Sequence, residues 1–166
     1  MVNPIPNETE LYAQIKKQKI MISWELWETL LYKCLGDFIV PIYLICRYYL
    51  SQNKPIPDSE ARNILSCTGN IKYIVNEVIR VKKGDTLFPE VKNNTPLHPL
   101  IKDLFTYYVG NAIYLINLIV EYSLNDPVSP KQISVESTKQ ILDNIQQVRH
   151  FLYRLLKETA SSPLPN

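Results

Sequence analysis

Glycine and alanine are both scarce in this chain, four of each in 166 residues, against nineteen isoleucines and eleven tyrosines. Its two closest glycines, Gly69 and Gly84, stand fifteen residues apart. Rossmann and P-loop phosphate cradles need two or three glycines close together, so neither is present. Histidine is scarcer still. Only His98 and His150 occur, and the residues three positions before them are Thr95 and Gln147, so the Glu-x-x-His ligand pattern of metal-binding bundles is missing. Cys34, Cys46 and Cys67 cannot pair completely and none has the spacing of a zinc or redox motif. Each lies in an apolar run, where a free thiol serves as a small core residue. No metal and no cofactor is expected.

Nucleophilic catalysis needs a base beside its nucleophile. His98 sits between Leu97 and Pro99, and His150 falls on the polar side of the last helical pattern. HEPN-type ribonucleases space an arginine and a histidine along one helix, whereas Arg149 and His150 are adjacent. Phosphotransfer bundles follow their histidine with small residues, whereas Phe151 and Tyr153 follow here. No catalytic residue is assigned, and the chain reads as non-enzymatic. An enzymatic reading would need a pocket lined by Asp37, Asn111, Asn117 or Glu121, the polar groups on otherwise apolar helices.

Excess charge is lacking too. Eighteen basic and sixteen acidic side chains leave +2, which gives no general attraction to nucleic acid or acidic membranes. The amino-terminal residues have no basic patch followed by an apolar block, and with three free thiols this points to the cytoplasm. The uncharged stretch from Leu104 to Val120 falls short of the roughly twenty apolar residues of a membrane span. It also carries Thr106, Gly110, Asn111 and Asn117. We therefore expect a buried helix and no membrane span.

What the sequence does have is helical periodicity punctuated by proline. Asn7 and Glu10 form a capping box for a first helix over residues 8–21. Ser23 can cap a second, whose apolar positions Trp24, Trp27, Leu31, Cys34, Leu35, Phe38 and Ile42 recur at three- and four-residue spacing. Pro41 predicts a kink or a split. The third helix runs from Asp58 or Ser59 to Gly84, with Ala61, Ile64, Thr68, Ile71 and Val75 on one face and Arg62, Tyr73, Asn76 and Arg80 on the other. A fourth covers Leu100 to Leu124 and must be enclosed on most sides. A fifth runs from Pro130 or a Ser134 cap to Lys157 along a seam of Ile141, Ile145, Val148, Leu152 and Leu155. No segment alternates with the period of a strand.

The fold class that follows is all-α: a single domain over 1–166 with a four-helix bundle-like core, an N-terminal helical arm and a kink at Pro41. Residues 1–7 and 160–166 read as flexible tails and 84–99 as a long loop.

Two surfaces remain. Between Phe38 and Leu50 the sole charge is Arg47, and a bundle this small can enclose at most one such apolar helix. The excess predicts a protein interface through Phe38, Tyr43, Arg47, Tyr48, Tyr49, Tyr107 and Tyr108, since tyrosine and arginine favour such surfaces. The expected partner is another protein, itself included, with a dimer as the simplest closed form. The alternative is a nucleic-acid accessory role through a basic helix face with one aromatic: Arg62, Lys72, Tyr73, Arg80, Lys82 and Lys83.

Overall fold

The computed structural model describes residues 8–22, 24–80 and 99–159. The tails 1–7 and 160–166, Ser23 and residues 81–98 lie outside them, and with them the Asn7 and Ser23 caps, Gly84 and all of the 84–99 loop except Pro99.

α1 spans Glu8–Gln18, three residues shorter than expected. It ends on a left-handed residue, Lys19 at φ 50°. The Lys19 N–H donates to the Lys16 carbonyl and the Ile20 N–H to the Ile15 carbonyl, both at 3.1 Å. That pair of bonds is a Schellman stop, and Ile20 and Ile15 are both buried beside it. The same device ends the next helix at Asn53, φ 51°. There the Asn53 and Lys54 N–H groups donate back to Leu50 and Tyr49 at 3.0 Å.

α2 begins as an α-helix at Trp24–Glu28, winds as a π-helix over Thr29–Ile39 and returns to α over Val40–Ser51. Its apolar pattern explains the change of winding. Thr29, Leu30, Cys34, Leu35 and Ile39 are the buried positions, spaced by four and five residues. In an α-helix Leu30 and Ile39 would point about 180° apart. A π-helix, with i→i+5 bonds and roughly 4.4 residues per turn, brings them onto one face. Val40 N–H accordingly donates to Leu35 O. Of the two outcomes expected at Pro41, the split does not occur. The helix passes through it, and Pro41 lies at the junction where π winding gives way to α. The predicted seam shifts with the winding, leaving Leu31 and Phe38 half-buried.

α3 spans Asp58–Arg80. Ala61, Ile64, Thr68, Ile71, Ile74 and Val75 are buried along it, and Arg62, Tyr73 and Asn76 face solvent as its periodicity predicts. α4 comprises Pro99–Leu104, a π segment Phe105–Gly110 and Asn111–Asn125. α5 spans Val135–Thr159 and starts from the predicted cap: Ser134 Oγ accepts the Ser137 N–H at 3.1 Å. Its predicted seam is wholly buried.

α2 packs against α3 and α5, and α4 packs against the same two helices, so α2 and α4 stand at diagonal corners of an up-down-up-down bundle. The two connections at one end are tied by a feature the sequence does not announce. Ile56–Pro57 (β1) and Gln132–Ile133 (β2) pair antiparallel, with Ile56 opposite Ile133. Both isoleucines are fully buried and seal that end of the core.

α1 lies on α5 near the opposite end. Leu11, Tyr12 and Ile15 enter the core, and the Tyr12 hydroxyl donates to the Phe151 carbonyl at 3.5 Å. Outside them Arg154 bonds Glu8 at 3.3 Å and Lys16 reaches Glu158 at 3.1 Å. Burial, followed by the nearby Glu8 carboxylate, holds the Tyr12 phenol above its ordinary range.

Candidate functional site

The seven residues predicted as an interface divide between α2 and α4. On α2, Tyr43 receives two guanidiniums: Arg47 lies 5.9 Å from its ring centroid and Arg149 of α5 lies 4.6 Å away. Arg149 is also 5.8 Å from the Tyr153 ring. Neither arginine has an acidic residue three or four positions away on its own helix. Among the described residues no carboxylate pairs with either. Tyr48 and Tyr49 meet edge to face at 5.0 Å. Tyr48 and Leu44 stay exposed, while Phe38, Tyr43 and Tyr49 are half-buried against the core.

On α4, Tyr107 is half-buried and Tyr108 turns inward. Its ring stacks on Phe151 at 5.3 Å and 19°, beside the edge-to-face pair Phe105 and Phe151. Burial and then the Glu8 carboxylate raise the Tyr108 phenol. Tyr108 therefore serves the packing beneath α1, and the arm covers this region while leaving the outer side of residues 38–50 open.

Enclosure of α4 is incomplete as well. Tyr114, Leu115, Leu118 and Tyr122 are 62%, 47%, 44% and 78% exposed. With Asn111 and Asn125, also exposed, the row 111, 115, 118, 122, 125 alternates steps of four and three, the spacing of a coiled-coil seam. It holds no charge; Glu121 lies to one side. The expectation that α4 is enclosed on most sides passes over these residues, because leucines in an apolar helix resemble core. The heptad spacing was the available signal.

α2 over Leu26–Ser51 and α4 over Pro99–Asn125 are long and apolar enough to cross a membrane by length and composition, and 39% of the apolar window in each is buried inside the molecule.

The basic face of α3 is only partly free. Arg62 is held by Asp58, Nε to Oδ1 at 3.1 Å, one turn away on the same helix. Tyr73 is exposed. Lys72 borders a pocket of about 210 Å3 between α3 and α4. The Arg80 side chain, Lys82 and Lys83 lie outside the described residues. Of the polar groups considered for an enzyme, Asp37, Asn111 and Glu121 are exposed. Asn117 lines the pocket and accepts the Thr68 hydroxyl across the helix pair.

No group of three or more His, Cys, Asp or Glu side chains converges among the described residues. Burial pushes the Cys34 and Cys46 thiols up to about 12, which keeps them protonated and unreactive at neutral pH. No family model, curated protein or solved structure matches this chain.

Proposed function

We propose that this protein is a non-enzymatic, cytoplasmic interaction module that works by self-association, and that the outer face of α4 is the contact. The observation that carries this reading is the uncharged row of Leu115, Leu118 and Tyr122 bounded by Asn111 and Asn125. Leu115, Leu118 and Tyr122, with Tyr114 beside the row, offer on the order of 400 Å2 of apolar surface per copy. That is about half of the roughly 800 Å2 per partner that a standard interface buries.

A second copy of the chain fits this face because the row is self-complementary. Two antiparallel α4 helices related by a twofold axis set Leu115 of one copy against Leu118 of the other, twice, at the centre. Asn111 then meets Tyr122 at both ends, where a phenol and a carboxamide can hydrogen-bond, and no like charges oppose. The diagonal placement of α2 and α4, with charged α3 and α5 between them, supports a protein contact over insertion in lipid, since the two apolar helices share no face.

Light scattering over a micromolar concentration series tests the proposal. A dimer mass that Leu118→Glu converts to a monomer, with an unchanged helical circular dichroism spectrum, supports it. A monomer mass at every concentration, or a dimer indifferent to Leu118→Glu, overturns it.

A further inference from the structure

The pocket between α3 and α4 goes beyond self-association. Lys72, Val75 and Asn76 line it from α3, and Gly110, Ile113, Tyr114 and Asn117 from α4. Val75 and Ile113 are buried and supply apolar walls. Lys72, Asn76 and Tyr114 are exposed at its mouth. Asn117 closes one end, fixed by Thr68.

Two features of this lining point to a ligand. The first is charge. One ammonium, two carboxamides and a phenol face the space with no carboxylate among them. Residues three and four positions from Lys72 on its helix are Thr68, Gly69, Val75 and Asn76, so none can neutralise it. Among the described residues no carboxylate pairs with it. The second is Gly110. Its φ of −57° and ψ of −48° are ordinary helical values. An added Cβ would meet only the Phe105 carbonyl oxygen, at 3.8 Å. Neither backbone geometry nor close packing therefore asks for glycine in a helix interior, where it is a poor choice. Gly36 and Gly69 lie on exposed helix surface, whereas Gly110 forms part of the pocket wall, and its missing side chain is part of the volume. The π segment Phe105–Gly110 ends at this wall, and interruptions of this kind gather at functional sites.

We infer that the α3–α4 pocket binds a small aromatic carboxylate, with Lys72 holding the carboxylate, Asn76 and Asn117 offering carboxamide N–H donors, and Val75 and Ile113 flanking the ring. The volume corresponds to about seven waters, which suits a molecule of about nine non-hydrogen atoms such as benzoate. Mostly apolar walls with a few convergent polar groups are the usual build of such sites.

The test is an amide-resolved NMR titration of the full chain with benzoate, with benzylamine and benzyl alcohol as comparators. Benzoate should shift the amides of residues 72–76 and 110–117 with a dissociation constant on the order of 1 mM, as expected for so small a ligand. Benzylamine should leave them in place and benzyl alcohol should bind at least tenfold more weakly. Lys72→Met should weaken benzoate at least tenfold. Gly110→Leu should fill the space and remove binding. Should Gly110→Leu fail to fold, Lys72→Met, a substitution at an exposed position, still decides. Equal binding of all three probes, unchanged affinity in Lys72→Met, or benzoate shifts confined to other residues would overturn the assignment. Tyr114 borders both the pocket and the α4 contact face, so the titration is made on the Leu118→Glu monomer as well as on the unaltered chain, and the shifts in that variant decide the pocket whatever the outcome for the dimer.

Discussion

The guanidinium of Arg154 lies over the ring of Tyr12, 4.1 Å from its centroid, a contact that joins Leu11, Ile15 and the Lys16–Glu158 ion pair in fastening α1 to the bundle. The ring is buried, its hydroxyl reaches the Phe151 carbonyl, and the same arginine bonds Glu8 on α1. Tyr12→Ala removes the ring from a closed site and should destabilise the protein by about 3–5 kcal/mol in urea denaturation, the usual range for a core aromatic. Tyr12→Phe keeps the ring and should cost about 1 kcal/mol or less. Equal losses in the two variants would show that the hydroxyl, and not the ring, secures the arm.

The buried thiols predict an alkaline limit to stability. Cys34 and Cys46 are raised by burial from the ordinary 9.0 to about 12. An acid whose folded value lies above its unfolded one keeps its full stabilising contribution below the unfolded value. The contribution is lost as pH rises through the folded one. Urea midpoints should therefore be insensitive to these thiols below pH 9 and fall between pH 9 and about 12. Cys46→Ala should lower the midpoint at pH 8 through its cavity and flatten the alkaline fall. A fall as steep as that of the unaltered chain would refute the assignment.

Reactivity should sort the same three thiols. Cys67 is half-buried and less strongly raised, whereas Cys34 and Cys46 are fully enclosed. In native protein at pH 8 a disulfide reagent should label Cys67 at least tenfold faster than the other two, and all three should react alike in denaturant. Peptide mapping after a short pulse reads this directly.

Lys19 offers a gain of stability. A side chain at φ 50° carries a strain that glycine avoids. Lys19→Gly leaves the Schellman bonds in place and should raise stability by about 1 kcal/mol, measured by urea denaturation. No such gain is expected at Asn53, because asparagine tolerates the left-handed region.

Thr68 ties α3 to α4. Its hydroxyl oxygen is fully enclosed, lies 3.0 Å from the Leu65 carbonyl and bonds Asn117 across the interface. Thr68→Val keeps the shape and strands the Asn117 carboxamide, so a loss of about 1–3 kcal/mol is expected. A neutral result would mean that water satisfies Asn117 from the pocket side.

The helices with clean α periodicity were legible from the sequence. Ile141, Ile145, Val148, Leu152 and Leu155 are the buried seam of α5, and α3 faces the core with the residues its pattern names. Where the winding changes, periodicity misleads. Leu30 and Ile39 look like opposite faces of an α-helix, and only π turns bring them together, so the seam read at three- and four-residue steps placed Leu31 and Phe38 too deep. The β1–β2 pairing was illegible for a different reason. Two residues on each side are too few to show alternation, and their partners are distant in sequence. At the candidate surface, tyrosine content drew attention to Tyr108, which the fold uses as packing. Leu115, Leu118 and Tyr122 share a heptad spacing that composition does not reveal. The pocket had one visible trace, a glycine inside an apolar helix, but nothing in the chain tells which residues of α3 face Gly110.

The isoleucine pair Ile56 and Ile133 gives the molecule a pivot. It clamps the α2–α3 hairpin to the α4–α5 hairpin at one pole, while α1 buckles over the other. Breathing of the bundle must then swing from the clamped pole and grow in amplitude toward the buckle.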